Sequence, residues 1–271
     1  MNPTPVVFIH GAWLHALSWE SWNERFASFG FAVSAPVWPG EPATVGEARR
    51  RPETFQELGL HVLTDHYARI VRSLDTPPVI VGHSVGGLIA QHLIGTNLGR
   101  AAVAIAPAPV NHVSLPATRT RAPGFPATGD PVGGPWPVSL DAGRFRRVFA
   151  NAVTEKEADE LFERYVVPAP RRLLAELGWG GATRHPRAMV DTGNTARGPL
   201  LLISGQEDRL VPDSVTRAVY KLYGDSTAVS SLKQFPDRAH SLVVDRGWRA
   251  IADHVLVWLA ERGIRADRSE W

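Results

Sequence analysis

Short apolar runs closed by glycine or proline alternate along the chain with longer stretches whose apolar residues recur every three or four positions. Residues 6–9 form such a run, closed by His10-Gly11, and residues 31–35 form another, closed by Pro36. Both read as buried strands, because consecutive apolar side chains leave no polar face for solvent. Between them Trp19, Trp22, Phe26 and Phe29 lie three or four apart and stop at Gly30, the spacing of one helical face with a glycine stop. Leu60, Leu63, Tyr67, Ile70, Val71 and Leu74 repeat that spacing within residues 54–74. The same reasoning predicts strands at 79–81, 101–106, 200–204 and 231–235, and helices at 86–94, 155–165, 171–177, 213–222 and 248–262. Continuously apolar strands separated by helices predict an α/β fold, with a parallel sheet covered on both faces.

Residues 107–138 interrupt the alternation. They are crowded with proline, glycine and threonine and carry neither period, and the sheet pattern resumes only at the stretch RGPLLLISG. This is an excursion from the sheet. No internal repeat and no long charge run occurs anywhere in the chain.

Composition narrows the function. The 29 basic and 27 acidic side chains are interspersed and nearly cancel, at +2, so no basic stripe for a nucleic acid emerges. There are no cysteines, which excludes disulfides, thiolate chemistry and cysteine-based metal sites. The stretch MNPTPVVFIHG lacks a basic leader region and reads as a first strand, and no apolar segment approaches the roughly 18–20 residues of a membrane span. A soluble cytoplasmic protein with no membrane partner is the expectation.

Candidate chemistry centres on one turn. In an open parallel sheet, reactive groups gather at the carboxyl ends of strands. Gly82-His83-Ser84-Val85-Gly86 sits at such an end and fits G-x-S-x-G, in which two glycines make room for a serine on a sharp strand-to-helix turn. The bland alternative is a close crossing that happens to bury a serine. A serine nucleophile requires a base and an orienting acid, in the order serine, acid, histidine. Asp208 lies just beyond the fifth predicted strand, with Glu207 as an adjacent competitor, and His240 lies just past the sixth, in a loop before the last helix. Ser84, Asp208 and His240 are therefore the catalytic candidates, while His254 falls inside a helical pattern and reads as packing.

The backbone N–H of Val85 opens a helix and is unpaired, which suits it to hold a developing oxyanion. The N–H of Ala12, freed by Gly11 at the end of the first strand, is the candidate second donor. His10 reads as a brace for that loop. Trp13, His83 and Trp38 are assigned to the substrate pocket, whose aromatic character suits a hydrophobic small molecule. Of the ten histidines, His61 and His66 are five apart and not on one helical face, and no HExxH pattern occurs, so no metal is expected. No G-x-G-x-x-G follows the first strand, so no dinucleotide, and hence no cofactor, is expected.

The ordered set HGAW, GHSVGG, GQEDRLVP and DRAHSL resembles the α/β-hydrolase superfamily over about residues 5–107 and 196–262. The resemblance implies an α/β-hydrolase fold with about six mostly parallel strands. It implies a core of residues 1–107 and 191–271 and an inserted cap or lid at 108–190. It also implies Ser84 as nucleophile, His240 as base, Asp208 as orienting acid, and Ala12 with Val85 as oxyanion hole. Cleavage of a carboxylic ester, lactone or thioester would follow. A tryptophan-rich first helix and a WPGE loop at residues 38–41 further resemble a group of bacterial hydrolases. HGAW is also similar to a branch holding plant esterases and hydroxynitrile lyases, which keeps a cofactor-free lyase or oxygenase as the alternative. The lyases of that branch carry threonine where this chain has Gly11, and use a cap lysine for which Lys156 is the sole counterpart.

Overall fold

The apolar runs become the centre of one sheet. The structure, a computed structural model, describes residues 3–55, 57–115, 138–178 and 186–266. Its six strands are β1 (Pro5–Ile9), β2 (Ala32–Ser34), β3 (Val79–His83), β4 (Ala101–Ile105), β5 (Leu200–Gly205) and β6 (Ser230–Phe235). They run in the order β2-β1-β3-β4-β5-β6 with every neighbouring pair parallel. All residues of β3, β4 and β5 are buried, whereas β2 and β6 at the edges are partly exposed. The polar sequence of β6, SSLKQF, matches its edge place, where a charged residue such as Lys233 discourages further pairing.

Helices α1 (Glu20–Ser28), α2 (Val45–Arg50), α3 (Leu60–Arg72) and α4 (Val85–Gly95) accompany the first half of the sheet. Among the described residues three more, α5 (Ala142–Val148), α6 (Glu155–Tyr165) and α7 (Arg171–Glu176), lie between β4 and β5, and α8 (Asp213–Lys221) and α9 (Trp248–Glu261) accompany the second half. Two of these escape the periodicity. α2 buries only Val45 and Ala48, too few to set a period, and α5 is comparably short. α2 does carry a capping signature: Thr44 Oγ1 accepts from Glu47 N–H at 3.2 Å and donates to the Glu47 carboxylate at 3.1 Å. Phe29, expected on the apolar face of α1, lies beyond the helix end and is 45% exposed. Part of the proline-rich stretch, residues 116–137, lies outside the described residues. Among the described residues, no helix is long and apolar enough to cross a membrane.

Two features tie the segment between β4 and β5 to the sheet. Leu14 bridges Val166, and Val167 N–H bonds the Trp13 carbonyl at 3.0 Å, so the chain leaving β1 is stitched to the chain leaving α6. Arg49 of α2 meets the end of α6, donating to the carbonyls of Phe162 (2.6 Å) and Val166 (2.9 Å). A cation bonded to carbonyls at a helix C-terminus is favourable on both hydrogen-bonding and dipole grounds.

Under β1 an aromatic cluster anchors α1. Phe8 stacks on Trp19 (4.9 Å between ring centres) and meets Phe26 edge-on (5.3 Å), all fully buried. Trp22 joins them and donates its indole N–H to the Val243 carbonyl at 2.8 Å. Truncation of Phe8 leaves a large void among rings that cannot collapse. Phe8→Ala is expected to lower the unfolding free energy by about 3–5 kcal/mol in a urea titration, and an unchanged midpoint and slope would contradict this packing.

Candidate active site

β3 runs directly into α4 with a single residue, Ser84, between them. Ser84 has φ 55° and ψ −117°, a region that side chains rarely adopt and that costs about 1–3 kcal/mol. Surrounding bonds hold it there. Its N–H donates to the Ile105 carbonyl (3.0 Å), and its own carbonyl accepts from Gly87 (3.0 Å), Leu88 (3.2 Å) and Ala108 (2.9 Å). The flanking glycines are required sterically. A Cβ on Gly82 would lie 2.0 Å from the Gly86 carbonyl oxygen, and one on Gly86 would lie 2.1 Å from that of Ile9. Ser84 is thus the residue lifted out of the strand, and it retains 6% exposure.

Asp208 and His240 come together just past the ends of β5 and β6, and the His240 ring packs on His83, the residue before Ser84. The Asp208 side chain bends back so that Oδ1 accepts from the N–H groups of Leu210 and Val211, both at 2.8 Å. Its other oxygen, Oδ2, accepts from His240 Nδ1 at 2.6 Å, with both side chains fully buried. Main-chain bonds from Gln206 to Phe235 (2.9 Å) and from Glu207 to Arg238 (3.0 Å) clamp the two loops together. The Glu207 side chain is exposed instead. His240 opens a short 3-10 turn, His240–Val243, where a plain loop was expected. With Nδ1 donating, the lone pair of a neutral imidazole sits on Nε2, and that atom is buried with no partner among the described residues.

His83 packs against His240. Its ring centre is 4.6 Å from that of His240, and its Nε2–H donates to the His240 carbonyl at 3.0 Å. Burial, followed by the neighbouring His240, holds the His83 imidazole well below the usual histidine range, so it is neutral. Phe149, just past α5, presents its ring edge-on to His240 at 4.7 Å, and its carbonyl accepts from Ser241 N–H at 2.9 Å. No pattern in the sequence marks Phe149, because its partner lies 91 residues away.

The end of β1 lies alongside Ser84: a Cβ on Gly11 would fall 2.7 Å from Ser84 Cβ. The N–H groups of Ala12 and Val85 make no hydrogen bond to the described residues. Trp13, His83 and Trp38, expected around the pocket, are all buried. Trp13 donates its indole N–H to the Val138 carbonyl (3.0 Å), and Trp38 stacks on His10 at 4.4 Å. A cavity of about 880 Å³ opens elsewhere, between α1 and α9, where Phe29 and Val257 line it and no candidate residue does.

Comparison with known proteins places this geometry. A model described as the alpha/beta hydrolase family matches residues 6–254. No curated protein sequence matches. Among solved structures, a methylesterase from Arabidopsis has a TM-score of 0.64 at 17% identity, over 95% of this chain and 99% of its own. Polyneuridine aldehyde esterase has 0.65 at 18%, over 94% and 98%, and the monoacylglycerol lipase of Paleococcus ferrophilus has 0.66 at 20%, over 95% and 94%. At these identities the likeness shows the fold.

The buried neutral imidazole carries a pH signature. In the unfolded chain His83 takes up a proton near its ordinary pKa of about 6.5, and in the folded protein it does not. Stability is therefore complete above that pH and declines below it. His83→Gln is expected to flatten this decline by up to about 1.4 kcal/mol per pH unit between pH 6 and 5. Parallel unfolding curves for the two proteins would contradict the assignment.

Proposed function

The chain belongs to the alpha/beta hydrolase family, and from that premise we propose that it is a serine hydrolase, cleaving a carboxylic ester, lactone or thioester through an acyl-enzyme on Ser84. One observation carries the reading: His240 Nδ1 is bonded to Asp208 at 2.6 Å while Nε2 makes no hydrogen bond to any described residue, Ser84 included, and the ring packs on His83, the residue before Ser84. In the proposed reaction Ser84 Oγ bonds to the substrate carbonyl carbon as Nε2 accepts its proton. The N–H groups of Ala12 and Val85 hold the resulting oxyanion. Nε2–H then protonates the departing alcohol or thiol, and water, activated by the same imidazole, releases the acid. Asp208 fixes the productive tautomer and offsets the positive charge on the ring between the two steps.

The names of the structural relatives, a methylesterase, an esterase and a lipase, agree with ester cleavage. The substrate in this reading is a small molecule with an apolar acyl or ring portion. In support, the Phe145 and Phe149 rings stack at 4.9 Å beside the base. Two observations weigh against the lyase alternative. A side chain at position 11 would collide with Ser84, and Lys156 is 84% exposed on α6 beside Glu160.

A fluorophosphonate probe is expected to label the protein stoichiometrically at Ser84, with labelling abolished in Ser84→Ala. His240→Ala should lower turnover of p-nitrophenyl acetate by roughly 10²–10⁴-fold. Folded wild-type protein that resists the probe would sink the proposal.

A further inference from the structure

The WPGE loop plays no part in the proposed proton transfers, yet it builds a second buried carboxylate–imidazole contact at the end of β1, whose next residue, Gly11, lies against Ser84. Glu41 is the acid. Its side chain is 1% exposed, and Oε2 lies 3.2 Å from His10 Nε2 and accepts from Trp38 N–H at 3.3 Å. The Trp38 indole stacks on the same imidazole, 4.4 Å away and 22° from parallel. Gly40, at φ +77°, turns the chain so that Glu41 faces inward, where a Cβ would meet the Thr54 carbonyl oxygen at 2.2 Å. The carboxylate contact and the indole stack together set the His10 ring plane, while Nε2 itself makes no hydrogen bond to any described residue.

What the fixed ring holds is a peptide plane. His10 Nδ1–H donates to the Gly11 carbonyl at 3.2 Å, and Leu14 N–H approaches the same oxygen at 3.4 Å. The Gly11–Ala12 peptide is trans and planar, so its C=O and N–H point in opposite directions. Gripping the Gly11 carbonyl therefore aims the Ala12 N–H, which bonds to nothing among the described residues and belongs to the loop lying against Ser84. A flip of this plane would exchange a donor for an acceptor at the oxyanion.

We propose that Glu41 and Trp38 are positioning residues which, through His10 and the Gly11 carbonyl, set the direction of the Ala12 N–H toward the oxyanion. The inference rests on the serine-hydrolase reading above. Orientation matters because a donor helps only where the charge develops, and losing one such donor costs roughly 10²–10³ in rate.

The test pairs Glu41→Leu, which removes both contacts, with Glu41→Gln, which keeps an oxygen at the same reach. With p-nitrophenyl acetate, Glu41→Leu is expected to lose roughly 10–10² in kcat, a large part of one donor's contribution, with KM within about twofold. Its rate of fluorophosphonate labelling should fall in parallel, and Glu41→Gln should recover most of both. Folded Glu41→Leu that labels at the wild-type rate, or a loss carried by KM alone, overturns the inference while leaving the hydrolase reading intact. Wild-type protein that does not label overturns both. Should Glu41→Leu not fold, a crystal structure of the phosphonylated wild type decides. A phosphoryl oxygen within 3.2 Å of Ala12 N, with His10 on the Gly11 carbonyl, supports the inference, and an Ala12 N–H turned away from it overturns it.

Discussion

The first turn of α4 presses against the end of β1 so tightly that no side-chain atom fits between them. Gly86 meets the Ile9 carbonyl, Gly82 meets Gly86, and Ser84 is left as the residue that must take up the strained backbone. Three consequences follow from that approach. The Ser84 hydroxyl leaves the strand line. The N–H of Val85 opens a helix and has no partner among the described residues. The loop after β1, with Gly11 and Ala12, is brought against the serine. A one-methyl increase at either glycine would separate all three, and the sheet order places this junction in the middle of the fold, where neighbours on both sides are too well packed to yield.

Much of this was readable because it is local. Glycine on either side of a serine, between a β-branched run and a helical period, has few physical meanings, and the strand ends that carry Asp208 and His240 are marked by the same change of texture. The choice of Asp208 over Glu207 has a local cause as well: the turn LVP offers two N–H groups to Oδ1, which leaves Oδ2 for the imidazole. All six strands were legible from their apolar runs, but β2, expected to be buried, is partly exposed because it lies at the edge of the sheet with a neighbour on one side only.

What could not be read is contact between distant segments. Phe149 against His240 and Glu41 against His10 are products of packing, and neither residue type nor spacing announces them. Trp38 shows the limit in another way. As an aromatic residue in a loop near the site it suggests a ligand wall, yet its ring stacks on a histidine, which the sequence cannot distinguish from a stack on substrate. α2 illustrates a different failure: its capping box is present in the sequence, but a six-residue helix carries too little periodic signal to draw attention to it.

Because Phe149 closes over the His240 ring from outside the sheet, the segment between β4 and β5 is not a detachable module. Chimeras that exchange this segment with a relative's, in the hope of transplanting selectivity alone, would also replace one wall of the compartment around this imidazole. An aromatic ring at that position is the minimum such a graft has to bring with it.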